Sequence, residues 1–211
     1  MEHNAGDMTG CRRCPRLATF LDEIRTQYPD YHAAPVPAFG APHPRLLIVG
    51  LAPGMHGANR TGRPFTGDYA GVMLYECLHE LGLASSPVSS DISDGLTLDN
   101  VRITNAVKCL PPQNKPQTSE IRECNAFLKR EIATLPHDCS LLALGSIAHQ
   151  ATLRAYDMKL SSLKFAHGAE HTLPDGRRLV DSYHCSRYNT QTKRLTREMF
   201  MTVLQRAATT D

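Results

Sequence analysis

Residues 46–71 read LLIVGLAPGMHGANRTGRPFTGDYAG. An almost unbroken aliphatic run, Leu46–Leu51, enters a segment of glycine, proline, asparagine and arginine, and a helical pattern follows. A strand without polar alternation is buried on both faces, as in a parallel sheet covered by helices. The loop at its carboxyl end then lies where open α/β sheets place their ligands. Glycines there let backbone N–H groups approach a flat or anionic ligand. Asp68, Arg60 and Arg63 share the segment, which reads as a reaction site rather than a connection.

Upstream, Pro29, Pro35, Pro37, Pro42 and Pro44 predict an extended, loop-rich approach to this strand. Earlier still, Leu17, Phe20, Leu21 and Ile24 recur at helical spacing within residues 11–28. Residues 1–10 are expected to be mobile, with 11–211 forming one domain. Downstream, a helix opens at Asp68 or Tyr69 and reaches about Leu81. It has Val72, Met73, Tyr75, Cys77, Leu78 and Leu81 for its buried side, and Gly82 ends it. Residues 85–100 are polar and predict a surface loop. Val101–Val107 is a second strand. LPPQNKP is a break, after which Thr118 is expected to cap a helix carrying Ile121, Phe127, Leu128 and Ile132. Ser140–Leu144 predicts a short buried strand and Ser146–Tyr156 a helix behind it. Glu170–Leu173 and Arg178–Tyr183 flank the turn PDG as a hairpin, and Leu195–Arg206 is the final helix. Strands alternating with helices predict an α/β fold: a single-domain three-layer α/β/α sandwich around a central, mostly parallel sheet.

At 211 residues the chain fits one domain with a full core. Hydrophobic content of 41% and charged content of 21% are those of an ordinary globular protein. A formal net charge of +2 does not mark a nucleic-acid binder, although local clusters still could. No run of eighteen apolar residues predicts a membrane span, and the polar start lacks a signal peptide's apolar segment. A cytoplasmic location is expected. Seven cysteines without an export signal argue against a disulfide framework.

Cys11 and Cys14 form C-x2-C, and Cys109 and Cys124 are separated by fourteen residues. Four thiolates suit zinc or a 4Fe–4S cluster. The wide second pair favours a cluster held between separate segments, although spacing alone leaves zinc and isolated buried thiols open. Cys77 falls on an apolar helical side and reads as a core residue. Residues 184–196, HCSRYNTQTKRLT, follow a strand and precede a helix. His184 there could polarise a carbonyl or stabilise a leaving anion; the plainer alternative is a solvated loop. Cys185 is a poor nucleophile for His184, because adjacent strand residues point to opposite faces.

In combination these segments resemble the uracil-DNA glycosylase superfamily, and most closely its family-five, type-B iron–sulfur enzymes. CRRCPRL is similar to the amino-terminal cysteine pair and GLAPGMHGANRTGRPFTGD to the first active-site motif. TNAVKCLPPQNKP with Cys124 resembles the segment carrying two further cluster cysteines. HCSRYN followed by TQTKRLT resembles the last motif, usually H-P-S-x-x-N. The likeness covers residues 11 to about 200. Family-four enzymes carry an acid after the first glycine of G-E-A-P-G; here Leu51 stands there, a mark of family five. Gly54 and Pro64 have a family-four flavour, and Cys185 replaces a proline, which makes its loop less rigid.

The resemblance implies a monofunctional hydrolase that releases uracil from DNA, with hypoxanthine as a further expected substrate. It makes Asp68, His184 and Asn105 the catalytic residues. Asp68 orients water or stabilises the sugar cation, the alternative being a helix N-cap only. His184 donates to uracil O2, and Asn105 reads an edge of the base. Gly50, Leu51, Ala52, Pro53, Gly54 and Phe65 complete the base site, with Phe65 stacking on the flipped base. Arg60, Ser186, Arg187, Tyr188 and Asn189 contact DNA, Tyr188 as the wedge. Cys11, Cys14, Cys109 and Cys124 hold one structural 4Fe–4S cluster. The protein is expected to act as a monomer on DNA containing a damaged base. Three rivals fit parts of the sequence: a non-catalytic iron–sulfur DNA-binding module, supported by Leu51; a redox-sensing metal protein with Cys185 reactive; and a hydrolase of small nucleosides or nucleotides.

Overall fold

Leu46–Gly50 forms β2, and every residue of it is buried. It pairs in parallel with β3 (Val101–Asn105) on one side and β4 (Ser140–Leu144) on the other. β6 (Arg178–Ser182) extends the parallel set beyond β4. Two antiparallel strands close the edges, β1 (Phe39–Gly40) against β3 and β5 (Glu170–Thr172) against β6. The order β1-β3-β2-β4-β6-β5 makes the sheet mostly parallel, as expected. The computed structural model describes residue 8 and residues 10–209. The expectation for residues 1–10 therefore lies, apart from Met8 and Gly10, outside the described residues.

Strand residues alternate between two helical layers. Leu46 and Ile48 join Ile103, Leu142 and Val180 against α3 (Tyr69–Glu80) and α7 (Arg197–Ala208), through Leu74, Leu78, Phe200 and Leu204. Leu47 and Val49 join Leu141, Ala143 and Leu179 against α4 (Thr118–Ala133) and α5 (Ser146–Ala155). α1 (Pro15–Gln27) adds Leu17 to this second layer, while its Leu21 and Ile24 pack with Ala33 and Leu110. Burying a leucine fully stabilises by about 2 kcal/mol, so a strand apolar on both faces anchors both layers at once. No helix among the described residues is long and apolar enough to cross a membrane.

Several boundaries differ from the sequence expectation. Val72 is 55% exposed rather than buried. The inward stripe of α3 is Gly71, Leu74, Tyr75 and Leu78, and Val72 lies about 100° away from it. Thr118 is the first residue of α4, not its cap. Gln117 takes the cap position, and its N–H donates to the Glu120 carboxylate at 2.6 Å. Arg16 clamps that carboxylate with two bonds of 2.7 Å, so α1 holds the start of α4. β3 stops at Asn105, and the next two N–H groups turn to Gly50 O and Leu51 O. α7 begins two residues later than expected, because Thr196 caps it by accepting from Met199 N. Residues 85–100 are anchored: Leu96 and Leu98 are buried, and Asp94 pairs with Arg63. Two short helices lie within expected loops, α2 (Ala58–Thr61) and α6 (Arg187–Gln191).

Candidate active site

The chain runs from β2 to β3 on one side and returns to β4 on the other, so β2 and β4 border a topological switch point. Such a point opens a crevice beyond the carboxyl ends of the strands. A cavity of about 520 Å³ lies there, lined from the ends of β3 and β4, the loop after β2, the start of α3, and the segment after β6. Leu51, Ala52, Gly54, Phe65, Asp68, Asn105, His184, Ser186, Arg187 and Asn189 all line it. The structure thus gathers most of the sequence-predicted site around one space. Gly50, Pro53, Arg60 and Tyr188 are outside this lining.

Gly50 acts from beneath. A Cβ on it would lie 2.4 Å from Asn105 Oδ1 and 2.6 Å from Phe65 Cε2 and Cζ. Its missing side chain lets both groups sit where they do. Asn105 Oδ1 is buried and has no hydrogen-bond partner among the described residues. Phe65 holds a left-handed backbone, φ 55°, which a non-glycine residue adopts only when its surroundings impose it. Its ring lies 5.9 Å from that of His184, with 25° between the planes. His184 Nδ1 is likewise buried and unpartnered. Burial pushes the His184 pKa down to about 4, so the imidazole is neutral at neutral pH. The carbonyl of His184 accepts from Asn189 Nδ2 at 2.8 Å, which ties the segment after β6 back on itself.

Asp68 turns its two oxygens to different neighbours. Oδ1 caps α3 by accepting from Gly71 N at 2.9 Å. Oδ2 points towards Gly54 and Gly57, where a Cβ would lie 3.5 Å and 2.7 Å from it respectively. Burial raises the carboxyl pKa, opposed by the N–H groups of Gly71 and Ala70. A carboxylate raised in this way is a better proton acceptor than an exposed one.

The segment after β6 is more ordered than a loop. Ser186 caps α6, accepting from Asn189 N at 3.4 Å. Tyr188 projects with 70% exposure. Tyr69, next to Asp68, lies under the Arg187 guanidinium at 5.1 Å, and its hydroxyl meets Thr190 Oγ1 at 3.1 Å. Arg60 donates from Nε to His56 O at 2.8 Å. Arg63 belongs to the structure rather than the cavity. It is buried, pairs with Asp94 at 2.8 Å and lies 4.4 Å over the Phe39 ring.

The sequence did not single out Tyr69, Phe165, Tyr183 or Asn114, which also line the cavity. Asn114 and Gln113 both have φ 56°, left-handed backbone within the stretch read only as a break. Phe165 carried no signal in the sequence.

Cys11, Cys14, Cys109 and Cys124 line a second cavity. Burial first, and the neighbouring sulfurs after it, push Cys14 up to about 11 and Cys109 up to about 12. Cys124 Sγ accepts the backbone N–H of Lys108 at 3.2 Å. Among the described residues no three of these sulfurs lie within 4.8 Å of one another. A single zinc, with Zn–S of about 2.3 Å, draws its sulfurs to roughly 3.8 Å. The donor set is therefore all thiol and wider than one zinc ion requires. Cys77, Cys139 and Cys185 are buried elsewhere. Burial drives the Cys185 thiol strongly upward, the opposite of a reactive sensor thiol.

A mostly parallel sheet with a cavity at its switch point is the architecture of an α/β ligand-binding protein, and comparison with known proteins supplies the family. The model of the uracil DNA glycosylase superfamily matches residues 37–208, and the chain belongs to that superfamily. Its kinship is with the type-5 group. It is 49% identical to a type-5 uracil-DNA glycosylase of Thermus thermophilus, over 95% of this chain and 93% of the relative. A type-5 uracil-DNA glycosylase of Mycobacterium bovis is 43% identical over 93% of this chain and 76% of its own. One from Pyrobaculum aerophilum is 40% identical over 95% and 89%.

Proposed function

We propose that this chain hydrolyses the N-glycosidic bond of uracil in DNA, leaving free base and an abasic site. The carrying observation is the pair of buried, unpartnered polar atoms, Asn105 Oδ1 and His184 Nδ1, beside Asp68 in one cavity. Buried polar atoms without partners are expensive, so such atoms in a cavity await a ligand that satisfies them. The Asn105 amide offers a donor and an acceptor to the uracil edge, which presents N3–H and carbonyl oxygens. A neutral His184 donates one N–H to uracil O2, where negative charge grows as the bond to C1′ breaks.

The uracil leaves with the bonding pair as its N1 anion and takes a proton from solvent. Water adds its hydroxyl to C1′, and its proton passes to Asp68 Oδ2 and then to solvent. The target base must first leave the stack. Tyr188 enters the gap, Phe65 stacks on the extruded base, and Arg60, Ser186, Arg187 and Asn189 hold the backbone. Gly50, Leu51, Ala52, Pro53 and Gly54 shape the wall and floor. Leu51 brings no discriminating acid to the pocket, which favours acceptance of hypoxanthine as well.

Cys11, Cys14, Cys109 and Cys124 fit a single 4Fe–4S cluster as an all-thiol donor set. Bound there, the cluster would act structurally, tying the amino-terminal arm to the segment just beyond Asn105. We take the enzyme to act as a monomer in the cytoplasm.

The test is base release from labelled duplexes carrying one uracil or one hypoxanthine, with protein purified without oxygen and scanned near 400 nm. Asp68→Asn keeps a cap acceptor but removes the base, and is expected to lower the rate about 10²- to 10⁴-fold. Unchanged rates in Asp68→Asn and His184→Ala would remove both assignments. A coloured protein that binds duplex and releases neither base would be the non-catalytic module instead.

A further inference from the structure

Asp181 on β6 has no solvent exposure, and two imidazoles face it. His149 Nδ1, from α5, lies 2.9 Å from Oδ1, and His171 Nε2, from β5, lies 3.3 Å from Oδ2. The other nitrogen of His149, Nε2, faces the carbonyl oxygen of Leu163 at 3.2 Å. A carbonyl can only accept, and an ionised carboxylate can only accept. Both contacts are satisfied together when both nitrogens of His149 carry hydrogen, that is, when the ring is an imidazolium. Burial alone would lower its pKa, but Asp181 and the Leu163 carbonyl outweigh burial and hold it above the ordinary value.

The Leu163 bond matters because the chain leads from it directly to the cavity wall. Among the described residues, no other hydrogen bond ties residues 163–165 to the sheet. Further on, Gly168 N donates to Asp181 O at 2.8 Å, and Asp181 N donates to Ala169 O at 2.9 Å. The span between carries Phe165, set edge-on to His149 at 5.8 Å and 6.2 Å from the Tyr183 ring. Phe165 and Tyr183 both line the base cavity.

We infer that His149 is a positioning residue for the base cavity: its Nε2–H straps residues 163–165 to α5 and, through Asp181, to the sheet, and so sets Phe165 against Tyr183 at the cavity wall. This rests on the cavity being the base site. The strap carries a built-in pH dependence. Asp181 from β6 and His171 from β5 are the titratable groups facing His149, while the Phe165 segment presents a ring and a carbonyl. When the imidazolium loses a proton it keeps Nδ1–H on the charged carboxylate, the stronger bond. Nε2 then turns a lone pair on the Leu163 oxygen, and the strap is lost. The strap is present below the raised folded pKa and disappears as pH rises through it.

Two conservative variants separate the nitrogens. His149→Asn keeps a donor near the Nδ1 position and loses the strap. His149→Gln keeps a donor near Nε2 and the strap. With uracil-containing duplex, His149→Asn is expected to raise KM about tenfold at pH 6 with kcat within about twofold, a loss of uniform binding. His149→Gln should keep KM low and flat as pH rises from 6, while the parent enzyme passes from the Gln-like to the Asn-like value as pH rises above the ordinary histidine value of 6.5. Equal KM changes in both variants, or a parent KM as flat as that of His149→Gln, would overturn the strap. Nitrogen NMR of the parent protein decides independently of activity or of variant folding. Two protonated ring nitrogens on His149 at pH 7 are expected, and a neutral ring overturns the proposal. One equivalent of zinc held by His149, His171 and Asp181 would also overturn it, the metal standing where the proton is assigned. A protein that releases no base yet shows the imidazolium would sink the base-site reading alone.

Discussion

Replacing Gly50 with alanine tests the cavity floor by adding one methyl group. Gly50 lies outside the left-handed region, so the change brings contact and no backbone strain. The new Cβ would meet Asn105 Oδ1 at 2.4 Å and the Phe65 ring at 2.6 Å, where ordinary contact begins near 3.4 Å. Asn105 must therefore retreat by about 1 Å and Phe65 by about 0.8 Å, or β2 must move. Misplacing a catalytic group by about 1 Å is worth roughly a hundredfold in rate. Overpacking of this kind destabilises by about 1–3 kcal/mol. At this chain length that is a fall in Tm of roughly 2–12 °C. We expect kcat/KM for uracil release to fall about a hundredfold, read by single-turnover cleavage beside a thermal melt. Activity of Gly50→Ala within about threefold of the parent, at the expected loss of Tm, would refute the reasoning.

Arg63→Ala leaves Asp94 without its buried partner and should destabilise by about 3 kcal/mol in urea unfolding; an unmoved midpoint would show that the pair is idle. His184 has a folded pKa of about 4, below its ordinary value of 6.5. The unfolded chain binds that proton more readily, so this contribution is intact above about pH 6.5 and is lost as pH falls towards 4. Denaturation of the parent and of His184→Gln between pH 4 and 7 should give a steeper acid loss in the parent, by up to about 3 kcal/mol, and parallel curves would exclude it.

The sheet was legible because a strand buried on both faces needs no partner to be recognised: Leu46–Val49 is aliphatic throughout and buried throughout. Helix ends were less so. Thr118 and Gln117 differ as caps only through Glu120 and Arg16, and Arg16 lies about a hundred residues away in the chain. Candidate site residues could be named from motif context, yet their surroundings could not. That one Asp68 oxygen caps a helix while the other turns to the cavity depends on the closeness of Gly54 and Gly57. Arg63 looks like a ligand contact in a glycine-rich loop until Asp94, thirty-one positions on, is seen to hold it. Phe165 and the His149–Asp181 pair were invisible, because their partners come from α5, β5 and β6 and no local pattern links them.

β2 is the strand around which the sheet is ordered, and its two neighbours arrive late. β3 follows it by some fifty residues and β4 by about ninety. At a synthesis rate of about 5–20 residues per second, LLIV waits roughly 5–20 seconds for its second neighbour. Through that interval one long edge of an uncharged aliphatic strand is open to any extended peptide nearby. Birth is thus the vulnerable period of this protein, and substitutions that slow β4 pairing should show first as lost yield rather than as lost catalysis.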